Sequence, residues 1–261
     1  MKSRFESPAW LAALARLVHN DDAGSSANAL TDAIGVVVEH EGTCLLAFHR
    51  DAPPEVLHHT LGPAGRRHYV DRYIAGPYLL DPLYQLAVRD DKPGSCRFRD
   101  ATPDRFRSSE YYHQYCERTH LRDEMDYLAD VSDNSTLVLV VGRRTRQFTK
   151  AELQRLRLIE QLVQAAMQNI WQLWSTDAGR DNRGVTVHRR LTRCFENFGE
   201  GLLTEREREI TQLLLRGHST KSIAHALAIA PGTVMVHKRN LFAKLRITSQ
   251  YELFSNFIDS I

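Results

Sequence analysis

The chain has 261 residues and a formal charge of +2, from 34 Lys and Arg against 32 Asp and Glu. Its composition, 43% apolar and 25% charged, excludes a disordered chain, a collagen, a coiled-coil rod or a disulfide scaffold as a description of the whole. The length fits one large domain or two ordinary ones. The near-zero charge argues against a nucleic-acid partner only if it is spread evenly along the chain.

Cysteine usage points to a reducing compartment. The chain has no C-x-x-C pair and no His at metal-ligand spacing from a Cys, so structural zinc is not expected. Four scattered thiols suit the cytosol, and we predict that they are buried and free. They are Cys44, Cys96, Cys116 and Cys194.

The first apolar run, residues 10–18, is interrupted by Arg16, and its apolar residues recur at helical spacing. It therefore predicts an amphipathic helix rather than a signal peptide. No stretch reaches about 18 apolar residues, so no membrane span or membrane partner is expected. The predicted location is cytoplasmic.

Residues 1–174 mix strand and helix signals. We predict one β-hairpin from residues 33–40 and 43–49, and a second strand pair from residues 124–130 and 135–141, joined by turn residues 131–134. The order of these elements predicts an α+β domain, with an antiparallel sheet flanked by helices.

Helices are predicted at 66–74, at 108–119 with Ser108 or Ser109 as the N-cap, and from Thr149 onward. Thr149 and Glu152 form a capping box, in which each side chain accepts a hydrogen bond from a free backbone N–H. An apolar stripe then runs to Trp174. Such a stripe is typical of a core-facing helix, and its length also allows a dimer seam.

The composition changes after Trp174. Residues 175–184 are polar with two glycines, and 199–201 break the chain again, so we predict a linker over 175–201 between domains 1–174 and 202–261. The net charge is −2 over 1–174, +1 over 175–201 and +3 over 202–261. The overall balance thus conceals a basic C-terminal module.

Residues 202–261 predict an all-α domain of four short helices. Thr204 and Glu207 form a second capping box, and the second helix, 219–227, is followed by a tight turn and a third helix, 233–245. A helix, a tight turn and a helix with a basic outer face make a helix-turn-helix, whose second helix fits the DNA major groove. The alternative is a small structural bundle with a solvated basic face.

The same segment contains a series of characteristic stretches: Leu203-Thr-Glu-Arg-Glu-Arg-Glu209, Gly217-His-Ser-Thr-Lys221-Ser-Ile-Ala224, Leu227-Ala-Ile-Ala-Pro-Gly-Thr233-Val, Val236-His237, Asn240-Leu and Lys244-Leu245. Together they resemble the LuxR-type helix-turn-helix nearly end to end. The resemblance implies a transcription regulator that binds a two-fold symmetric site on double-stranded DNA as a homodimer. By position, it implies base contacts from Met235, Val236 and Arg239. It also implies phosphate contacts from Thr220, Lys221, Thr233, His237, Lys238 and Lys244.

This chain departs from the family pattern at two positions. Met235 stands where Lys or Arg is usual, so an apolar contact with a thymine methyl is expected in place of a hydrogen bond to guanine. Ala230 stands where Ser or Asn is common, so the cap of the third helix is expected to be lost at a cost of roughly 1 kcal/mol. His237 either packs under the turn or touches DNA.

The N-terminal domain is predicted to sense a small molecule. A phosphoacceptor receiver is rejected because no strand precedes Asp21-Asp22, and an ATPase is rejected because the P-loop pattern is absent. The arrangement is similar to PAS, GAF and autoinducer-binding domains. Tyr69, Tyr73 and Asp81-Pro82 resemble the W-x-x-x-Y … D-P signature of acyl-homoserine-lactone receptors, which implies that Tyr69, Tyr73 and Asp81 bind a ligand. Tyr replaces Trp, however, and the spacing is shorter.

Enzyme signatures are absent, including the nucleophile elbow and the H-E-x-x-H and G-x-G-x-x-G motifs. We therefore predict no catalytic residue, metal or cofactor. The favoured function is a DNA-binding regulator that responds to an unidentified small molecule. Three alternatives stay open: a lactone receptor, a ligand-free regulator with a protein-binding N-terminal domain, and an enzyme or ligand carrier whose C-terminal helices only mediate assembly.

Overall fold

The structure of the protein, a computed structural model, describes residues 4–62, 66–177 and 183–260, without the side chains of 68, 69, 176, 177 and 183–187. The strands are β1 (Gly42–His49), β2 (Glu55–His59), β3 (Ser95–Arg97), β4 (Asp123–Ser132) and β5 (Ser135–Arg143). The helices are α1 (Pro8–His19), α2 (Ala23–Val37), α3 (Arg72–Ile74), α4 (Pro82–Ala87), α5 (Phe98–Ala101), α6 (Lys150–Leu158), α7 (Glu160–Asp177), α8 (Arg183–Glu196), α9 (Glu205–Leu215), α10 (Thr220–Ala226), α11 (Pro231–Leu245) and α12 (Gln250–Ile258).

The five strands form one antiparallel sheet in the order β2-β1-β5-β4-β3. The predicted strand pair 124–130 and 135–141 is confirmed as β4 and β5, with Leu128 opposite Val138. The predicted α+β class, an antiparallel sheet flanked by helices and followed by an all-α unit, is also confirmed.

The predicted hairpin between 33–40 and 43–49 is wrong. Residues 33–37 are the last turn of α2, which begins after Asp22, whose carboxylate accepts the Ser25 N–H at 2.8 Å. Ala27, Leu30, Ile34 and Val37 recur at helical spacing and are buried, so packing against the sheet overrides the β-branched run. β1 pairs instead with β2 and β5.

Successive side chains of each strand point alternately into two apolar layers, one on each face of the sheet. On one face, side chains such as Met125 and Tyr127 pack against α1, α2, α6 and α7. On the other face, side chains such as Phe48, Leu128 and Val138 meet the segments between 66 and 119. This second face carries the cavity described below.

The capping box at Thr149 is confirmed: Thr149 N–H donates to Glu152 at 2.8 Å, and Glu152 N–H donates to Thr149 Oγ1 at 3.2 Å. The helix is interrupted at Ile159, which separates α6 from α7. Leu156, Val163 and Ile170 of the stripe are buried in the core, and Trp174 at its end is partly buried. The stripe is therefore largely a core face.

The two predicted helices beside the cavity are irregular. Residues 66–74 form a π-helical turn, Arg66–Asp71, that continues into α3. Residues 108–119 contain the π-helix Tyr112–Cys116 and the 3₁₀ turn Glu117–Thr119. Ser109 is the residue that caps, since its Oγ accepts the Tyr112 N–H at 3.2 Å. Single π-turns of this kind occur often at functional sites.

The C-terminal part has the four predicted helices, α9 to α12, with Ile210, Ile223, Val234 and Leu253 fully buried among them. The capping box at Thr204 and Glu207 is confirmed. Residues 183–196 of the predicted linker form α8. No helix in the described ranges is both long enough and apolar enough to cross a membrane.

Candidate functional site

Helices α10 and α11 form the helix-turn-helix. Ser219 caps α10, with its Oγ accepting the Ser222 N–H at 3.1 Å, and the turn passes through Ala228 in the left-handed region at φ 51°. Ala230 makes no side-chain cap to α11, as predicted from its sequence, and Pro231 occupies the first turn instead. The buried side chains of Ile223 and Val234 hold the two helices together.

The outer face of α11 is unusually apolar for a solvent-facing surface. Met235 is 64% exposed and Val236 is 46% exposed, while Val234 and Leu241 on the inner face are fully buried. Arg239, one turn from Met235, is also exposed. The three predicted base-contacting residues therefore share one accessible surface of the helix.

The predicted phosphate-contacting residues lie around this surface, but two are engaged within the protein. Lys238 is partly buried with its ammonium 5.3 Å from the Phe242 ring centre, and its pKa is lowered by burial and by the nearby Arg105. Lys244 Nζ lies 2.6 Å from the buried carboxylate of Glu207. The remaining four are exposed or partly exposed: Thr220, Lys221, Thr233 and His237.

A cavity of about 240 Å³ lies between the sheet and the segments 66–119. Its wall is largely aromatic, and it includes Tyr73 and Asp81, two of the three predicted ligand-binding residues. The Tyr69 side chain lies outside the described residues. Aromatic side chains that line the cavity are Phe48, Tyr73, Phe98, Phe106, Tyr111, Tyr112 and Tyr115.

Asp81 is held by donors of the protein itself. The Tyr73 hydroxyl donates to Asp81 Oδ2 at 2.7 Å, and the Leu83 N–H donates to Oδ1 at 2.8 Å, which caps α4. Burial raises the pKa of Asp81 to about 6, although the hydrogen bonds from Tyr73, Leu83 and Tyr111 act in the opposite direction. Asp81 thus positions Tyr73 at the cavity and shapes the wall around it.

Two further acids lie on the same side of the sheet. Glu124 lines the cavity, and Asp126, two residues along β4, is fully buried on the same face. Burial raises the pKa of Glu124 to about 7. Burial and then the Glu124 charge raise the pKa of Asp126 well above its ordinary value. Both carboxyl groups are therefore harder to ionise here than in water.

Comparison with known proteins identifies the C-terminal unit. Residues 201–256 match the GerE model, described as bacterial regulatory proteins of the luxR family. An HTH-type transcriptional regulator from the exeN 3′ region of Aeromonas salmonicida is 33% identical over 159 residues, which covers 58% of this chain and 80% of that protein. This chain belongs to the LuxR family.

Two further proteins are similar to large parts of this LuxR-family chain. The VqsR LBD domain of Pseudomonas aeruginosa superposes with a TM-score of 0.57 and 25% identity, covering 64% of this chain and 99% of that one. The monoamine regulon transcriptional regulator of Klebsiella aerogenes is 28% identical over 152 residues, which covers 57% of this chain and 56% of that protein. The N-terminal part therefore has the fold of a LuxR-family sensor-type domain.

In this LuxR-family structure the DNA-binding unit packs directly on the cavity wall. Arg105 N–H donates to the Gly217 carbonyl at 3.2 Å, and the Ser219 N–H donates to the Asp104 carboxylate at 3.0 Å. Phe106, which lines the cavity, also packs against Gly217. Residues 102–109 consequently touch the cavity on one side and the start of α10 on the other.

A second contact comes from α8. His188 is buried, with Nδ1 2.7 Å from the Tyr78 hydroxyl and Nε2 3.1 Å from the Arg50 carbonyl. A proton on Nε2 donates to Arg50, which leaves Nδ1 to accept from Tyr78. Burial lowers the pKa of His188, in part offset by the bond to Arg50. The neutral ring thus links α8 to the sensor core.

Sequence reasoning missed Glu124, Asp126 and the 102–109 contact, because none belongs to a local motif. The four thiols are free, as predicted, but each residue is only partly buried, whereas full burial was predicted. Burial of its thiol raises the pKa of Cys44 to about 12. Cys116 lines the cavity with a raised pKa, and His113 bonds Glu117 at 3.0 Å.

Proposed function

We propose that this LuxR-family protein is a cytoplasmic homodimer that binds a two-fold symmetric DNA site and adjusts that binding when a small molecule occupies its N-terminal cavity. The observation that carries the proposal is a helix-turn-helix packed against the wall of a cavity in the neighbouring domain. We propose the same domain bounds as the sequence predicts: a sensor domain over 1–174, a linker over 175–201 and a DNA-binding domain over 202–261.

On the DNA side, we assign base contacts to Met235, Val236 and Arg239. Their common exposed surface on α11 supports this assignment, because a recognition helix needs accessible groups on the side that enters the major groove. Met235 and Val236 suit thymine methyl groups, whereas Arg239 suits guanine acceptors. The preferred site should therefore combine A·T pairs with a guanine.

We assign phosphate contacts to Thr220, Lys221, Thr233, His237, Lys238 and Lys244. Lys244 already pairs with Glu207 at 2.6 Å, so its phosphate contact either replaces this ion pair or shares the ammonium with it. Lys221 is exposed, and its side chain reaches solvent without such competition. Lys221 should therefore contribute more to the salt dependence of DNA binding than Lys244.

The test is binding of the full chain to genomic fragments, followed by footprinting. We expect protected sites with two-fold symmetry and an affinity that falls as salt rises. Arg239→Ala should relax the preference at one base pair and cost about 1–3 kcal/mol, while Lys221→Ala should weaken all sites alike. Absence of any protected site, or an affinity independent of salt, would refute DNA binding.

The cavity favours ligand sensing over a ligand-free N-terminal domain, since a domain that serves only a protein partner has no need of an open core. A lactone receptor remains an alternative. Asp81, the residue implied to accept a ligand amide, already receives donors from Tyr73 and Leu83. Titration of the full chain with an N-acyl homoserine lactone distinguishes the two ligand classes.

A further inference from the structure

The cavity has an acidic floor. Glu124 and Asp126 project from β4 on one face of the sheet, opposite Gly142 and Val140 of β5. Glu124, Gly142 and Val140 line the cavity directly. Asp126, opposite Val140, is not a lining residue and has 0% of its surface exposed. Glu124 therefore reaches the cavity directly, and Asp126 lies behind the lining on the same face of the strand.

The protein supplies no cation to this pair. Within the described part of the chain, neither oxygen of Asp126 has a hydrogen-bond partner. Asp123, next along the strand on the opposite face, shows the contrast: Arg97 donates to both of its oxygens at 2.7 Å, and the Phe148 N–H donates at 2.7 Å. A buried carboxyl without a donor is costly, so the pair at 124 and 126 has unused capacity to accept one.

The arginines that line the cavity do not neutralise Glu124 and Asp126, because they are exposed at its mouth, where water and salt screen them. These arginines are Arg72, Arg99, Arg107, Arg122 and Arg144. No described hydrogen bond or ion pair connects any of them to Glu124 or Asp126. Asp81, another acid of the lining, already accepts hydrogen bonds from Tyr73 and Leu83.

The walls indicate an organic rather than a metallic cation. Phe48, Tyr73, Phe106 and Tyr111 offer apolar and aromatic surface to a ligand body, and ring faces attract a cationic nitrogen. The described residues contain no group of three or more His, Cys, Asp and Glu side chains placed to hold a metal ion. A volume of about 240 Å³ suits a ligand smaller than a drug-sized molecule.

We propose that the effector carries a cationic nitrogen, an ammonium or amidinium on a small apolar or aryl body, which Glu124 binds at the cavity floor, with Asp126 as a second acid behind it. This assignment rests on the proposed ligand sensing and names its chemical class. The nitrogen donates to Glu124, Asp126 adds to the acidity of the floor, and the aromatic wall holds the body. The resulting charge-assisted hydrogen bonds are of the stronger kind.

The experiment is calorimetric titration of the full chain with two matched sets of probes, one aryl and one alkyl. The aryl set is 2-phenylethylamine, 2-phenylethanol and 3-phenylpropanoate, and the alkyl set is butylamine, butanol and pentanoate. N-octanoyl homoserine lactone is a separate neutral probe. We expect at least one amine to bind about tenfold or more tightly than its alcohol, a preference of the size expected for charge-assisted bonds.

Asp126→Asn and Glu124→Gln should each abolish this preference, because each removes one carboxylate with little change in shape. Asp133→Asn is the matched control, since Asp133 is an exposed acid in the turn after β4 and its loss changes net charge equally. Circular dichroism and thermal unfolding verify that all three variants fold. If one floor variant fails to fold, the other still decides the assignment.

Each outcome bears on the assignment. An amine preference lost in the floor variants and kept in Asp133→Asn supports it. Tighter binding of an alcohol, an acid or the lactone overturns it and leaves ligand sensing standing. No binding by any probe, or an amine preference that survives both floor variants, also overturns it. DNA binding, measured separately by footprinting, is unaffected by any of these results.

Discussion

Gly217 joins the DNA-binding unit to the sensor through a contact that leaves no room for a side chain. It is buried just after α9 at φ +88°, where the left-handed backbone favours glycine. A Cβ added there would lie 2.9 Å from the Phe106 Cα and 3.3 Å from the Phe106 nitrogen. Because these are backbone atoms, the clash cannot be relieved by a side-chain rotation. Gly217→Ala should therefore loosen the docked arrangement.

The cost has two separable parts. An alanine in the left-handed region costs about 1–2 kcal/mol, whether or not anything lies nearby. Displacing the backbone at Phe106 adds about 1–3 kcal/mol, the usual penalty for overpacking. Gly201→Ala isolates the first part, since Gly201 has φ +82° and no atom within 4 Å of an added Cβ. The second part is the excess loss in Gly217→Ala.

The assay is urea unfolding of the full-length variants together with native-state hydrogen exchange. We expect Gly217→Ala to lose more unfolding free energy than Gly201→Ala. The Arg105 amide, which donates to the Gly217 carbonyl, should exchange faster only in Gly217→Ala. Equal losses in the two variants, with unchanged exchange at Arg105, would refute the view that this contact holds the domains together.

The same variant tests communication between the cavity and DNA. Phe106 lines the cavity and touches Gly217, so displacing it should reduce the change in DNA affinity that an effector causes. The variant should alter the DNA affinity measured without effector less than it alters the change in DNA affinity that an effector causes. Gly201→Ala should retain the coupling.

Three further predictions concern charged groups. The raised pKa of Glu124 means that its folded form binds a proton more tightly than the unfolded chain, so its contribution to stability falls as pH rises from 4.5 through about 7. Glu124→Gln should therefore be more stable than the wild type by about 1–3 kcal/mol between pH 5 and pH 8, measured by urea unfolding. A variant that is less stable than the wild type over this range would contradict a buried Glu124 carboxyl with a raised pKa. The pKa of Glu152 is lowered, first by its hydrogen bond from Arg146, so its contribution is present above its ordinary value of 4.5 and lost in acid. Glu152→Gln should cost about 3 kcal/mol at pH 7 by urea unfolding, and less in acid; a cost independent of pH would count against the ion pair. Asp104→Asn weakens the acceptor for the Ser219 N–H. It should speed trypsin cleavage between the N-terminal domain and the DNA-binding unit, though less than Gly217→Ala does. An unchanged cleavage rate would show that this hydrogen bond is dispensable.

Local patterns predicted much of this structure. The capping boxes at Thr149 and Thr204, the pair of β4 and β5, and the helices of the DNA-binding unit follow from hydrogen bonds and periodicities that span a few residues. The loss of the cap at Ala230 was predictable for the same reason. In such segments, the residues that determine the structure lie within one helical turn or one hairpin of each other.

The sequence by itself thus determined the family, the helix-turn-helix and the presence of a flanked sheet. Only the tertiary structure decided that residues 33–37 end a helix, since their burial against the sheet outweighs the strand preference of a Val-rich run. It alone brought the acids of β4 to the cavity and Phe106 to Gly217, 111 positions along the chain. Contacts between distant segments arise from packing, which local periodicity does not encode.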